Sequence, residues 1–421
     1  MSLPRLLLGV AAEPMSLDRH LDVHGGLPRV RRQDMLAELE RSGLRGRGGA
    51  SFPLATKLGA VVAAGRRRRP VVVVNGTEGE PMSVKDRMLL ECLPHLVLDG
   101  AACVADIVGA DEIVVAVDEA SRQGTEAVRS ALHERGDLGV RGGPSVRVLS
   151  VPGGYVSGQE TAVINFINTG DPRPVMQPPR ITDRGVGRRP TALSNVETLA
   201  HVALIARHGA DWFRELGPRE SPGSVLVTLG GGVRAPGVYE IETGSHLGSL
   251  IDAAEGLAEP VRAFLFGGYA GNWVDATRAR GVRLSNGALS PLRATLGAGV
   301  IVALPASACP VAEVARVASW MADEGAGQCG PCANGLNAIA DALAEVCAGA
   351  ARRDAFGDIR RWAELVTARG ACGHPDGTAR FVTSALGVFS AEFDDHARHG
   401  LCDACERRPV LSCPRQRSAV R

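Results

Sequence analysis

The sequence predicts an α/β chain: a doubly wound parallel sheet, then a small α+β unit, then a helical C-terminal part. Three observations carry this. Short apolar runs (Val71 to Val74, Ile113 to Val117, Val146 to Val151) alternate with segments of helical periodicity, as strands buried on both faces and joined by crossover helices do. Composition shifts at Pro218 to Gly223, and two strand-like runs, Val225 to Leu229 and Gly237 to Ile241, then flank Gly230-Gly231-Gly232. From Val311 to about Glu392 the pattern is mostly helical, and a Cys-containing tail follows.

Composition narrows the function. Of 421 residues 45% are apolar but only 4% aromatic, so aliphatic side chains and alanine must fill the core. The 52 glycines and 25 prolines lie between apolar runs, which implies turns and ligand-approach loops rather than disorder. A net charge of +1 argues against a nucleic acid or an anionic membrane surface as partner. Leu6-Leu7-Leu8-Gly9-Val10 is too short and too soon followed by Glu13 and Asp18 for a signal peptide. The longest apolar stretch, Leu296 to Val311, holds two prolines, so no direct membrane span is expected. A cytoplasmic location follows, with any membrane link made through a partner. Most of the cysteines fall between Cys309 and Cys413, which points to metal or redox chemistry rather than a disulfide framework.

In order, residues 1–33 read as an N-terminal extension, and Gln33 to Arg41 as an amphipathic helix stopped at Ser42-Gly43. The stretch Gly43-Leu44-Arg45-Gly46-Arg47-Gly48-Gly49-Ala50-Ser51-Phe52-Pro53 holds four glycines in seven residues. Consecutive N–H groups in such a turn form an anion nest, and a helix over Pro53 to Ala64 adds its dipole. With Arg45, Arg47 and Lys57 as cations, the reading is a loop that grips a phosphate. It is neither a Walker loop nor a G-x-G-x-x-G fingerprint, and a flexible surface turn is the alternative. Arg66 to Arg69 reads as a solvated helix end. The strand at Val71 ends in Asn75-Gly76-Thr77-Glu78-Gly79-Glu80-Pro81, an acidic loop at a strand's carboxyl end, where open α/β sheets bind ligands. Helices are expected over Leu89 to Val108, Ser121 to Arg135, Gly158 to Asn168 and Asn195 to His208. Five prolines between Pro172 and Pro190 hold a loop extended. Leu247 to Ala254 reads as helix and Ala263 to Gly268 as strand.

Four motifs together resemble one family. The glycine loop, Asn75 to Pro81 closed by Lys85-Asp86-Arg87, Tyr155-Val156-Ser157-Gly158-Gln159-Glu160-Thr161-Ala162, and Pro190 to Thr198 resemble the flavoprotein (F) subunit of bacterial NADH:quinone oxidoreductase. Diaphorase subunits of soluble hydrogenases and formate dehydrogenases share the pattern. Gln328-Cys329-Gly330-Pro331-Cys332 resembles that family's iron–sulfur motif. The resemblance implies a Rossmann-like FMN- and NAD-binding domain over 34–220 and a β-grasp domain over 221–305. A helical iron–sulfur domain over 306–395 and a Cys-containing tail over 396–421 would complete the chain. Carried over by position, FMN contacts would be Gly46, Gly48, Gly49, Lys57, Asn75, Glu78, Gly158, Glu160 and Asn195. Glu80 and Glu160 match acidic positions around the dinucleotide, Tyr155 a tyrosine near the ring, and Lys85-Asp86-Arg87 a structural ion-pair set. NAD(P)H would pass a hydride to FMN, which would release electrons singly to a [4Fe–4S] cluster. A thioredoxin-like ferredoxin subunit or another redox protein would be the partner.

The chain departs from the family in two places. Of three aromatics that clamp adenine, Phe52 fills the first position, but Ala60 and Arg180 stand at the others. Gln159, Gln177 and Thr77 replace an acid, a lysine and an aspartate. Two lost ring contacts at ~0.5–1.5 kcal/mol each would weaken NADH binding by about one to two decades. Arg180 would stack on adenine or pair with a 2′-phosphate. In the cluster motif Ala326 stands in the first cysteine position, leaving Cys329, Cys332 and Cys372. The fourth ligand is sought among Cys309, Cys347, His374 and the tail cysteines. Alternatively, Cys402-x₂-Cys405-x₇-Cys413 holds its own zinc or cluster with a ligand such as His399, or the tail is mobile. Cys92, Cys103 and Cys309 read as small buried apolar residues. Two other functions stay open: an FMN protein exchanging electrons with a ferredoxin instead of NADH, and a degenerate, non-redox assembly protein.

Overall fold

The computed structural model describes residues 3–66, 68–136, 143–176 and 179–414. Arg67, Gln177 and Pro178 therefore lie outside the described residues. The first part runs α1 (Leu17–His24), α2 (Arg32–Ser42), α3 (Leu54–Ala64), β1 (Val71–Gly76), α4 (Lys85–Cys92), α5 (Pro94–Val108), β2 (Glu112–Asp118), α6 (Arg122–Glu134), β3 (Ser145–Val151), α7 (Glu160–Thr169), β4 (Thr191–Asn195) and α8 (Val196–Arg214). The four strands are all parallel, in the order β3-β2-β1-β4. Val71 to Val74 are fully buried, as a central strand covered on both faces requires. Gly100 lets α5 meet α8: a Cβ there would stand 1.8 Å from the Leu199 carbonyl oxygen.

Leu89 to Val108 is not one helix. Pro94 takes the first position of α5, and the axis turns 97° between α4 and α5, because proline begins a helix but cannot continue one. Both α4 and α5 contribute to the core, and among the described residues no single helix is long and apolar enough to cross a membrane. On α5, Asp99 accepts from His20 Nε2 at 2.8 Å and Arg135 Nη1 at 2.7 Å, tying down α1 and the end of α6. Burial pushes this carboxyl up, but the His20 bond and the Arg135 and Arg207 guanidiniums outweigh it and hold it well below the usual carboxylate range.

The second part holds β5 (Ser224–Gly231), β6 (Gly237–Glu242), α9 (Leu247–Ala253), β7 (Val261–Phe266), β8 (Asn272–Asp275), α10 (Ala276–Ala279), α11 (Asn286–Leu289) and β9 (Val300–Pro305). Its strand order is β6-β5-β9-β7-β8, with β5 and β9 parallel. Taken as second, first, fifth, third, fourth, with a helix after the first hairpin, this is the expected β-grasp arrangement. Strands β4, β8 and β9 go beyond the elements the sequence pattern predicts. Strand β9 lies in the apolar run notable above only for its length, and β8 is four residues long.

The C-terminal part is helical: α12 (Pro310–Asp323), one wide turn at Pro331–Leu336, α13 (Asn337–Cys347), α14 (Ala355–Val366), α15 (His374–Val388) and α16 (Ser390–His399). The tail beyond α16 is packed as far as Pro414. Glu313 accepts from the N–H groups of Val410 (2.8 Å) and Leu411 (3.0 Å). Tyr269 Oη donates to the Ser412 carbonyl at 2.6 Å, and Trp320 Nε1 to that of Pro414 at 2.8 Å.

Candidate functional site

The chain leaves β1 on one side through β2 and β3, then returns to the other side of β1 at β4. That reversal makes a crevice at the carboxyl ends of β1 and β4, the place where open sheets bind ligands. The register sets Asn75 beside Asn195 at its mouth. A cavity of about 730 Å³ opens there, lined by residues of 46–52, 77–80, 158–160 and 193–195 and closed by 297–298 and 372–374.

The glycine loop is stapled shut. Arg45 pairs with Pro53 as an antiparallel bridge, the Gly46 N–H donates to the Phe52 carbonyl at 2.9 Å, and Arg45 Nε donates to that of Ser51 at 2.8 Å. The Arg47 N–H donates to Thr198 Oγ1 and its guanidinium to the Ser224 carbonyl, each at 2.9 Å. This corrects the reading of the loop's charges: Gly46 lends its N–H to the loop itself, and Arg45 and Arg47 hold protein carbonyls. Among the described residues no protein group accepts from the N–H groups of Gly48 and Gly49. Gly49 has φ +108°, and a Cβ on Gly48 would press on Asn195 Cβ at 3.3 Å. The loop is thus a cradle with free donors, which fits a phosphate.

Other predicted residues converge on the same cavity with partners of their own. Lys57 Nζ is paired with Glu160 Oε1 at 2.6 Å and donates to the Leu193 carbonyl at 2.9 Å, so its charge is already balanced. Asn75 Nδ2 donates to the Gly158 carbonyl at 3.0 Å, while Asn195 Nδ2 donates to Asp86 Oδ2 at 2.6 Å. Each amide keeps a second N–H for a ligand edge; the Asn75 oxygen is taken by Thr77 N and Thr77 Oγ1, while the Asn195 oxygen, bonded by Glu197 N at 3.0 Å, keeps a second lone pair. Gln159 caps α7, accepting from Thr161 N at 2.8 Å and Ala162 N at 3.2 Å. Glu78 caps α4 through the N–H groups of Asp86 and Arg87, both at 3.1 Å, and burial with nearby Asp86 pushes its carboxyl up to about 6. Glu80 accepts from Tyr269 N at 2.8 Å and is pushed up to about 7 by burial. The expected ion pair is present: Lys85 sits buried between Asp86 (2.6 Å) and Glu197 (2.8 Å). Phe52 stands half exposed on the cavity lining; Arg180 and Ala60 are exposed and outside it.

The cluster motif lies behind the cavity. Cys329 and Cys372 both act on the Cys332 thiol, which burial first, then these neighbours, push up to about 12. Ala326 precedes this turn and offers no ligand. His374 is buried next to Cys372; its Nε2 bonds the Met321 carbonyl at 2.8 Å, its Nδ1 has no partner, and its ring lies 5.4 Å from Tyr155. The tail expectation needs correction. Cys405 and Cys402 meet Cys309 and His396, not Cys413 and His399. Cys413 instead lies beside Arg316, whose Nη1 is 3.1 Å from its sulfur. Cys309 is buried as expected but faces two thiols and an imidazole.

A glycine cradle at a sheet's switch point, backed by a cysteine motif, defines a nucleotide-binding redox protein. Residues 39–204 match the Nuo51 FMN-binding domain, and residues 312–396 the NADH-ubiquinone oxidoreductase-F iron-sulfur binding region. The second NADH-quinone oxidoreductase F subunit of Rhizobium meliloti (strain 1021) is 32% identical over 382 residues, 88% of this chain and 90% of that one. The corresponding F subunit of Streptomyces coelicolor (strain ATCC BAA-471 / A3(2) / M145) is 30% identical, with 86% and 83% covered. The HndC subunit of the NADP-reducing hydrogenase of Solidesulfovibrio fructosivorans is 26% identical, with 93% and 83% covered. Among solved structures, an NAD⁺-reducing [NiFe]-hydrogenase in the H₂-reduced state is similar at TM-score 0.81 and 28% identity. The similarity covers 87% of this chain and 63% of that one. The chain belongs to the family of NADH-quinone oxidoreductase F subunits. It is an oxidoreductase of NAD(P)H–FMN–iron–sulfur electron transfer.

Proposed function

We propose that the cavity at the β1/β4 crevice is the flavin site and that electrons leave it toward Cys329, Cys332 and Cys372. One observation carries this: the same cavity is bounded by the free N–H groups of Gly48 and Gly49 and by Cys372 and His374. On this reading Gly48 and Gly49 hold the FMN phosphate. Asn75 and Asn195 take the polar edge of the ring, and Gly158 gives the backbone room to approach it. Gly46, Lys57 and Glu78 act one step back, by closing the loop, balancing Glu160 and capping α4. When bound, FMN supplies two-electron acceptance from a nicotinamide and one-electron release. The protein binds, orients and excludes water, and no side chain need act as acid or base. Phe52 is the ring left for adenine, with Glu80, Tyr155 and Glu160 deeper in the cavity. Division at 34–220, 221–305 and 306–395 follows the two sheets and the helical part.

His374 completes the iron–sulfur ligand set on this proposal. Its Nε2–H donates to the Met321 carbonyl, which leaves the Nδ1 lone pair free. The acceptor is a redox protein, a thioredoxin-like ferredoxin by family likeness, and any membrane attachment is peripheral and made through it. Ala60 and the exposed Arg180 favour a second reading, in which a ferredoxin rather than NADH exchanges electrons with the flavin.

Anaerobic stopped-flow flavin reduction separates the two. Reduction by NADH or NADPH, slowed at least tenfold in Phe52→Ala, supports the first. Failure of both nucleotides with rapid reduction by a reduced ferredoxin supports the second. Apoprotein that takes up no added FMN overturns both.

A further inference from the structure

Three thiols and one imidazole converge away from the flavin cavity. Cys309 Sγ lies 3.3 Å from His396 Nε2 and 3.4 Å from Cys405 Sγ. Cys405 Sγ lies 3.6 Å from Cys402 Sγ and 4.0 Å from His396 Nε2, and all four ligand atoms fall within 4.8 Å of one another. Zinc bonds of about 2.3 Å to sulfur and about 2.0 Å to nitrogen put tetrahedral ligands roughly 3.5–3.8 Å apart. The separations fit one ion. A four-iron cube bonds each ligand to a different iron and spreads its ligands wider than a single ion does.

The surroundings prepare the ligands. His396 Nδ1 faces the Cys347 carbonyl at 3.1 Å. A carbonyl only accepts, so Nδ1 carries the proton and Nε2 turns its lone pair toward the sulfurs, the supporting contact typical of a metal-bound histidine. Cys309 is the N-cap of α12, and its sulfur accepts the Ala312 N–H at 3.3 Å. Cys402 and Cys405 lie in a tight turn closed by Cys405 N–H to the Cys402 carbonyl at 2.9 Å. Two ligands are buried and two half-buried, from elements 87 residues apart in sequence.

We propose that Cys309, His396, Cys402 and Cys405 hold one zinc ion, a closed structural site separate from Cys329, Cys332 and Cys372. Four protein ligands leave no open position, so the ion binds no substrate. It fixes the start of the tail whose far end meets Tyr269 and Trp320. Trp320 packs edge-on to Tyr155 at 5.7 Å, so the clamp braces one wall of the flavin cavity. Binding releases the thiol protons to solvent and transfers no electrons.

Metal analysis of the full-length chain, purified anaerobically after growth with both zinc and iron, tests this. About one zinc per chain is expected to survive gel filtration. Zinc should fall at least tenfold in His396→Ala and in the Cys402→Ser/Cys405→Ser pair. It should stay unchanged in Cys413→Ser, in the same tail, and in Cys332→Ser, which loses iron. If the ligand variants do not fold, wild-type protein stripped with a chelator and refilled with cobalt(II) should show the intense visible bands of tetrahedral thiolate. Its tail, 400–414, should resist protease only when metal is bound. The proposal is overturned by less than a tenth of an equivalent of zinc, by zinc indifferent to the double variant, by iron on these four ligands, or by a Cys402–Cys405 disulfide in freshly alkylated protein. Zinc and iron are counted separately, so failure here leaves the flavin and cluster assignment standing.

Discussion

Two cysteine sets share the helical part of this protein, and each contains a C-x₂-C. Cys332 lies on the wide turn before α13 and Cys329 just ahead of it, and both act with Cys372. Cys402 and Cys405 look toward Cys309 and His396. The first set reaches the cavity proposed for the flavin through Cys372 and is one thiolate short. The second is complete and lies apart from that cavity. Among the described residues, only the second brings three or more ligand atoms within 4.8 Å of one another. The spacing in the chain is identical, so it does not decide the occupant. The long-range partner decides it, by setting how far apart the ligands stand and hence whether one ion or several fit between them.

The sharpest way to break the comparison is to remove one ligand from the cavity-side set. Cys332→Ser should abolish bound iron and cut turnover to an external acceptor at least about 100-fold. Flavin content, flavin reduction and zinc should persist. Iron analysis beside steady-state assays reads this, and iron retained in full would mean that the motif does not hold the cluster. The next test runs the other way. Ala326→Cys should raise iron content several-fold and sharpen the reduced-cluster EPR signal. His374→Ala should lower iron in the native chain but have little effect in the Ala326→Cys background. Equal loss in both backgrounds would remove His374 from the ligand set.

Much of this is legible in the sequence, for physical reasons that differ by region. The valine run of β1 and the glycine loop announce themselves locally, because burial on both faces and positive φ each demand particular residues in sequence. What stays hidden depends on distant neighbours. Strand β4 sits inside a motif dominated by its ligand residues, and β8 is too short for a pattern. The loop's cations are legible as charges, but not their turn toward the Ser51 and Ser224 carbonyls. In the tail, Cys402 and Cys405 are visible as ligands and their partners are not. His399 lies closer in sequence, yet α16 ends there and Gly400, at φ +77°, turns the tail back onto His396. Cys309, far up the chain, has the sequence signature of any small buried residue.

A middle-sized effect is expected where the tail is held without metal. Glu313 is buried, accepts two tail N–H groups and pairs with Arg316. Glu313→Ala leaves those donors unsatisfied and should cost about 2–3 kcal/mol. Denaturant unfolding would read that loss, and faster proteolysis after residue 406 should accompany it while zinc stays bound. Zinc lost together with the tail contacts would mean that the two anchors act as one.

The smallest effect concerns the residue that spans the two regions. Glu80 accepts from the Tyr269 N–H, while Tyr269 itself holds the tail, and hydrogen-bonds Tyr155, the neighbour of His374. Burial raises its carboxyl from 4.5 to about 7, against the lowering effect of those bonds. The folded state therefore holds a proton that the unfolded chain has released. That contribution to stability is fully present below the unfolded value and is lost as pH rises through about 7. Discounted for its carboxylate neighbour Glu78, it amounts to about 1–2 kcal/mol. Glu80→Gln is never ionised, so the variant should lose this slope. Wild-type unfolding free energy, measured in denaturant at several pH values across this window, should fall toward neutrality relative to the variant. Parallel curves would mean that Glu80 stays ionised throughout, and that the link between tail and cavity runs through the tyrosines alone.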